Sequence, residues 1–473
     1  MCLLVFSAAS IGLLDFLVGL ALAGVVIVAT MRRPGGALLV LTVFLPLQKY
    51  LVAFAYRLDL PLAAVRGFGW LKEGILIGVA AAAIHAFRQA GRKLDGLDRL
   101  ALAWIAGVTL YLLLPSIMSA PDAPLGLNPR IQGFRANAFF VILFLAARHA
   151  PLPPDLRRRF ARTLGGVLAL VALLGVYQFI DPQGWIHFTT DIAQVPRYQQ
   201  DVQGLTPAQL HQDFGWLSLD PVRVGSVLIV PTEFVDLLLI ALAVAIERLT
   251  RGRARLVLAV ATASIAFAMV ASRTRIDLVA AAIVLVLLLR PAPGRVAASR
   301  TRLAALFLLG VVLVAPFQIG TRITGGEGGA ESSVAHAGEF STGLRLLLDE
   351  PRGFGLGTSP SVGTRFGFHQ TVISDNSYLQ VGNELGVVMM ALFIALVFTL
   401  LRRLRTAYRS PPFDPLAAAF WAAGIGLSVV AMIHQVWLSI PVSWLFFLGC
   451  GIALSERHDE AASTVAPTAT ARR

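Results

Sequence analysis

Three groups of residues have the types and spacing that chemistry requires. The first is Asp220-Pro-Val-Arg223-Val-Gly225-Ser-Val-Leu-Ile-Val-Pro231-Thr-Glu233, an arginine at the mouth of an apolar run, with a proline and an acid close behind it. The second is Ser272-Arg273-Thr274-Arg275-Ile276-Asp277, two arginines in a turn too short to be a free loop between two apolar runs. Arginine at this depth is costly unless paired, and a guanidinium cluster suits a phosphate or pyrophosphate, whose oxygens it binds bidentately. Snorkelling of the same arginines to headgroups is the plainer alternative, and nearby Asp220, Glu233 and Asp277 weigh against it.

The third group spans Ser332 to Glu384. Residues Ser332–Pro351 read as a short helix with an apolar stripe at Phe340, Leu344, Leu347 and Leu348, lying on the membrane surface with His336 and Glu339 at its N-terminal end. Glycines 353, 355 and 357 then let the chain fold back, and Ser374-Asp375-Asn376-Ser377-Tyr378 opens an apolar run that carries Glu384 about 13 Å deeper, at 1.5 Å per helical residue. Ser374 or Asp375 is a good helix cap; alternatively, His336 and Asp375 line one cavity with Arg223, one of them taking a proton from an acceptor hydroxyl. A histidine does this near neutral pH without help, which favours His336 as base and Asp375 as its orienting partner.

Other chemistries are excluded by pattern. The eight histidines show no HExxH or paired helical spacing, no carboxylates gather as around Mg²⁺, and no metal or other cofactor is predicted. The run Gly353-Phe-Gly355-Leu-Gly357 follows no strand and precedes no lysine, so it is not a nucleotide loop. Cys2 and Cys450 form no disulfide framework.

The elements that must position these groups are transmembrane helices. Of 473 residues, 56% are apolar and 14% charged, against roughly a quarter charged in soluble proteins, and the mean hydropathy is +0.73. Apolar runs of about 20 residues recur throughout, giving an all-α polytopic bundle of 12 or 13 spans, near 8–29, 36–55, 69–87, 99–117, 134–148, 163–181, 225–246, 255–271, 275–290, 303–320, 376–400, 415–433 and 436–454. Most of the net charge of +13 sits in short loops, where it sets orientation, so nucleic acid is discounted as a partner. Of 40 basic residues, 26 fall on one side and 14 on the other, which puts the tail 456–473 in the cytoplasm and the long loops outside. The chain thus divides into spans 1–181, a long outer loop 182–222, spans 223–320, a large outer loop 321–374, spans 375–455 and a disordered tail. In 182–222, Trp185, His187, Phe188, Tyr198, His211 and Trp216 either stack on sugar rings or rest at the membrane interface.

The order of these pieces resembles the bacterial O-antigen ligase and polysaccharide polymerase superfamily over roughly residues 170–400: Arg-Val-Gly-Ser…Pro-Thr-Glu, Ser-Arg-Thr-Arg between spans, a large external loop, then Asp-Asn-Ser-Tyr-Leu-Gln-Val-Gly-Asn-Glu-Leu-Gly. Ligases usually show His-Asn where Asp375-Asn376 stands and often Arg at the position of His336, so the polymerase (Wzy-like) branch is the nearer. The resemblance implies a GT-C-like bundle in the inner membrane. Its implied substrate is an oligosaccharide on undecaprenyl pyrophosphate, joined at the periplasmic face to a sugar hydroxyl, or to lipid A core in the ligases, with a chain-length regulator as a further partner. It would give pyrophosphate binding to Arg223, Arg273 and Arg275, catalysis to His336, Asp375 and Glu339, and support to Glu233, Asn376, Tyr378 and Glu384. The rival class is a lipid-linked oligosaccharide flippase, which would also combine many spans with buried charge.

Overall fold

The computed structural model describes residues 13–120, 126–214, 223–251, 256–289, 328–363, 375–411 and 413–455. Among them the chain is helical throughout, with no strand. The principal helices are α1 (Leu13–Arg32), α2 (Pro34–Arg57), α3 (Leu62–Gly69), α4 (Leu71–Gln89), α5 (Gly96–Leu113), α6 (Leu127–His149) and α7 (Leu156–Ile180). Short helices α8 (Pro182–His187), α9 (Val195–Gln203) and α10 (Pro207–Phe214) follow, then α11 (Pro231–Thr250), α12 (Leu256–Ala271), α13 (Arg275–Leu289), α14 (Gly328–Asp349), α15 (Ser377–Arg409), α16 (Pro415–Val430) and α17 (Ile440–Leu454).

Five of these, α2, α5, α6, α7 and α15, are long and apolar enough to cross a membrane. Helix α11 has the length, but Glu233, Asp236, Glu247 and Arg248 dilute its apolar surface. It is nonetheless almost wholly buried, packed on α16, α12 and α13, and α17 packs in the same way on α6. Burying every face of α11 requires neighbours all round, which places it at the centre of the bundle and brings its acids against other helices. Aromatic side chains fill the neighbouring core: Phe140 meets Phe447 with centroids 4.7 Å apart, and the Trp104 indole, beside Phe393, donates to the Asn137 carbonyl over 2.7 Å.

Several boundaries differ from the sequence reading. Helix α6 starts at Leu127 rather than 134, because Pro129 is tolerated in a first turn, and this brings Arg130 into the helix. Helix α15 continues to Arg409, well beyond 400, as a polar extension. Residues 182–214 of the expected outer loop form α8 to α10, each with proline in its first turn. Trp185 is buried between Tyr50 and Phe188, and Tyr198 is buried too, so these two rings serve neither as a sugar platform nor at a bilayer interface. Trp216, Asp220 and the expected span 303–320 lie outside the described residues.

Candidate functional site

Arg223 emerges from a tightly wound turn, Val224–Ile229, that Gln178 on α7 organises. The Gln178 side-chain oxygen accepts from the backbone amides of Gly225 (3.1 Å) and Ser226 (2.7 Å), and the Ser226 hydroxyl donates to the Val171 carbonyl at 2.8 Å. Five non-glycine residues among those described have positive φ, and three of them, Ser226 (51°), Ile229 (72°) and Arg273 (62°), lie in this turn or in the turn facing it. Such conformations persist only where the surroundings over-determine them, and they cluster at functional sites.

The half-buried Arg223 reaches across to the α12–α13 turn, where its Nε donates to the Ser272 carbonyl at 3.3 Å. This is the turn that carries Arg273, so the two motifs read separately in the sequence form one place. Both Arg273 and the buried Asp277 lie within electrostatic reach of Arg223, whereas Arg275 is exposed. Glu233, in the first turn of α11, pairs with Lys49 of α2 at 3.5 Å, and Lys49 also donates to the Leu228 carbonyl over 2.8 Å.

Beneath the arginines lies a constellation that the sequence reading missed. Asp236, one turn below Glu233, faces Asp277 and His434, with one ligand-type atom of each within 4.8 Å of the others. Both aspartates are buried, and Oδ1 of Asp236 and both oxygens of Asp277 have no hydrogen-bond donor among the described residues. His434 Nδ1 is 3.8 Å from Asp277 Oδ2. Two carboxylates this close in a buried place share a proton or hold a cation between them. Thus the expectation of scattered histidines with no carboxylate cluster does not hold for His434. Two carboxylates and an imidazole are also a donor set that a divalent cation accepts, but the guanidinium charges of Arg223 and Arg273 beside them offset the aspartates and favour the shared proton.

The start of α15 borders this site through the α16–α17 connection. Asn376, rather than Ser374 or Asp375, caps α15: its side-chain oxygen accepts from Tyr378 N (2.9 Å) and Leu379 N (3.0 Å), while its amide donates to the Met432 carbonyl at 3.0 Å. The Ser377 hydroxyl donates to the His434 carbonyl over 2.7 Å, so the helix start holds the backbone that carries the imidazole. Tyr378 is half-buried over Ser428, its hydroxyl 3.4 Å from that carbonyl, and Asp375, also half-buried, is left without the capping role.

Glu384 has its partners elsewhere. Its two side-chain oxygens accept from the Gly357 amide (2.7 Å) and the Asn137 side chain (3.0 Å), and its backbone carbonyl accepts from Gly355 N at 2.8 Å. The last of these bonds belongs to a strap, Glu350–Ser359, that returns from α14 to the bundle and is also fastened by Asn383, Tyr111 and Ala120. All three strap glycines have positive φ, and a Cβ on Gly357 would run into the Pro129 carbonyl oxygen. Where the strap meets α15, Gly386 (φ 81°) kinks the helix. Glu384 therefore anchors the strap.

Helix α14 runs from Gly328, earlier than read, and leans on α15, with Leu347 packed over Gly382. Phe340, Leu344 and Leu348 stay exposed, an apolar face turned away from the bundle. Glu339 is half-buried on this helix, and the His336 side chain lies outside the described residues.

A second buried network, also unread in the sequence, lies at the starts of α4 and α6: Lys72 donates to Gln48 at 3.0 Å and sits 3.7 Å from Glu73, which pairs with Arg135. Gln48 adjoins Lys49, so α2 connects the two charged groups. No known family model matches the chain, and no characterised protein matches it closely enough to count as a relative.

Proposed function

We propose that the protein is a glycosyltransferase of the polysaccharide polymerase kind, in a GT-C-like bundle of 12 or 13 inner-membrane spans with its long loops in the periplasm and its tail in the cytoplasm. It joins oligosaccharide repeat units carried on undecaprenyl pyrophosphate, in O-antigen or exopolysaccharide synthesis. The observation that carries this reading is the seat of Arg223 on the Ser272 carbonyl, which sets two arginines of different motifs over a buried aspartate pair and a histidine.

In the reaction, the acceptor hydroxyl oxygen attacks the anomeric carbon of the donor sugar. The bond from that carbon to the pyrophosphate oxygen breaks, and undecaprenyl pyrophosphate leaves with the electron pair. Arg223 and Arg273 meet the charge that develops on the leaving group, as positioned cationic donors do in a site shielded from water. His434, beside Asp277, receives the hydroxyl proton, and the carboxylate stabilises the imidazolium that forms. The activated leaving group and the arginines together supply what a metal clamp would otherwise provide. The His434–Asp277 pair is taken as base and partner because it lies beside the arginines, whereas the expectation for His336 falls outside the described residues.

A second reading, transport of the same lipid-linked saccharide, is favoured by one observation: the buried Asp236–Asp277 pair is of the kind that carries protons through transporters. A deletion strain separates the readings. Loss of long chains with a single repeat unit still attached supports polymerisation; lipid-linked polymer that accumulates unattached indicates a ligase; repeat units retained at the cytoplasmic face indicate a flippase.

A further inference from the structure

A cavity of about 1510 Å³ lies away from the arginine–aspartate site. It lies at the opposite end of the bundle, between α7, α11 and α12. Its rim carries Arg148, Arg157, Arg158, Arg162, Arg248 and Arg251, against only two lining acids, Glu247 and Asp414. Some of this charge is committed: Arg157 donates to Asp414 at 2.9 Å, and Arg148 binds Asp95 and Asp98. Arg251 is only half satisfied. Its Nε donates to Glu247 over 2.8 Å, while its Nη2, shut off from solvent, has no partner among the described residues.

The walls are of a different kind. Small residues on the facing helices, Gly165 and Ala169 of α7 and Ala241 and Ala245 of α11, keep the cavity open, and Arg248 passes over Gly165, its Nη1 3.7 Å from where a Cβ would stand. On α12, Val257 lines the cavity and is 78% exposed, beside Leu256 at 81%. In a membrane protein such side chains at a helix end face acyl chains. A cationic rim over an apolar wall open to the bilayer matches a phosphate joined to hydrocarbon better than a soluble anion.

We propose that this cavity binds an acidic phospholipid of the leaflet on the arginine-rich side, its phosphate held by Arg248 and Arg251 and its chains lying along α12. The proposal does not depend on the reading of the opposite face, and its test uses no activity.

Purified full-length protein in detergent is titrated with dioleoylphosphatidylglycerol, dioleoylphosphatidylcholine or glycerol 1-phosphate, and bound ligand is counted by native mass spectrometry. Phosphatidylglycerol should bind saturably and about tenfold more tightly than phosphatidylcholine, whose choline cation offsets the phosphate charge, and than glycerol 1-phosphate, which has no chains to lie on the apolar wall. Arg251→Gln should weaken it about tenfold, whereas Arg405→Gln, an exposed arginine outside the cavity, should change it less than about twofold. Equal binding of phosphatidylcholine, equal binding of glycerol 1-phosphate, or equal loss in Arg405→Gln would each overturn the proposal. Should Arg251→Gln fail to fold, the three-ligand comparison on the unaltered protein still decides.

Discussion

His434 Nδ1 lies 3.8 Å from Asp277 Oδ2, although one residue follows α16 and the other opens α13. The contact exists because α13 and α16 pack together and because Asn376 and Ser377 hold the backbone around His434. If the pair moves a proton, Asp277→Asn should lower chain elongation by about 100-fold or more at equal expression, within the usual range for general acid–base groups. An acid near a helix N-terminus that served only the helix would cost about 0.3–1 kcal/mol of stability and leave the rate alone. Elongation assays paired with thermal midpoints separate these outcomes.

The same trio of Asp236, Asp277 and His434 offers a donor set to a divalent cation. With Arg223 and Arg273 beside it, elongation by the purified protein should persist in excess EDTA. Loss of activity that added Mg²⁺ or Mn²⁺ restores would reassign the trio as metal ligands.

The strap supplies a prediction about stability. Glu384→Ala leaves the buried Gly357 amide without its acceptor, at a cost of about 1–3 kcal/mol, and leaves the Asn137 side chain with the Gly133 carbonyl alone. Gly357→Ala adds a side chain at φ 87° against the Pro129 carbonyl, so it should destabilise as well, by about 1–2 kcal/mol or more. Thermal unfolding in detergent should show both midpoints below that of the unaltered protein; an unchanged midpoint for both would mean that the strap does not anchor the bundle.

At the opposite end, Asp95 caps α5 and binds Arg148. Burial works against its charge, but the Arg148 hydrogen bond, the Asp98 amide and the charges of Arg148 and Arg403 outweigh burial and hold the carboxyl well below the usual carboxylate range. A carboxyl with a depressed folded-state pKa contributes stability that is fully present above its unfolded value of about 4 and is lost as pH falls toward the folded value. Asp95→Asn should therefore be less stable than the unaltered protein at pH 6, and the gap should narrow as pH drops from about 5 to about 3. A gap that is constant with pH would show that the charge of Asp95 contributes nothing.

Charge set in apolar sequence is conspicuous, which is why Arg223, Arg273, Asp277 and Glu233 could be singled out before any fold was known. Asp236 carried the same signal: it follows Glu233 by three residues, one helical turn, inside the same apolar run. His434 gave no such signal. Its place beside Asp277 follows from helix packing, which sequence spacing does not encode. The cap was misplaced by one or two residues because Ser374, Asp375 and Asn376 are all good capping types, and tertiary bonds from Asn376 and Ser377 to the 432–434 backbone settle which is used. The glycine return after Pro351 was legible, since spaced glycines signal positive φ, but the fastening of that return on Glu384 was not.

Whether two arginines and the aspartate–histidine pair below them join lipid-linked sugars is decided by reconstitution. The purified protein is placed in vesicles with an undecaprenyl-pyrophosphate-linked repeat unit, and both chain length and released undecaprenyl pyrophosphate are followed. The unaltered protein should build a ladder and release one carrier for each bond formed. Arg223→Lys and Arg273→Lys should slow both together by about tenfold or more, because a point charge replaces a bidentate fork. Movement of the substrate across the vesicle membrane, with no bond formed and no carrier released, would show instead that the protein is a transporter.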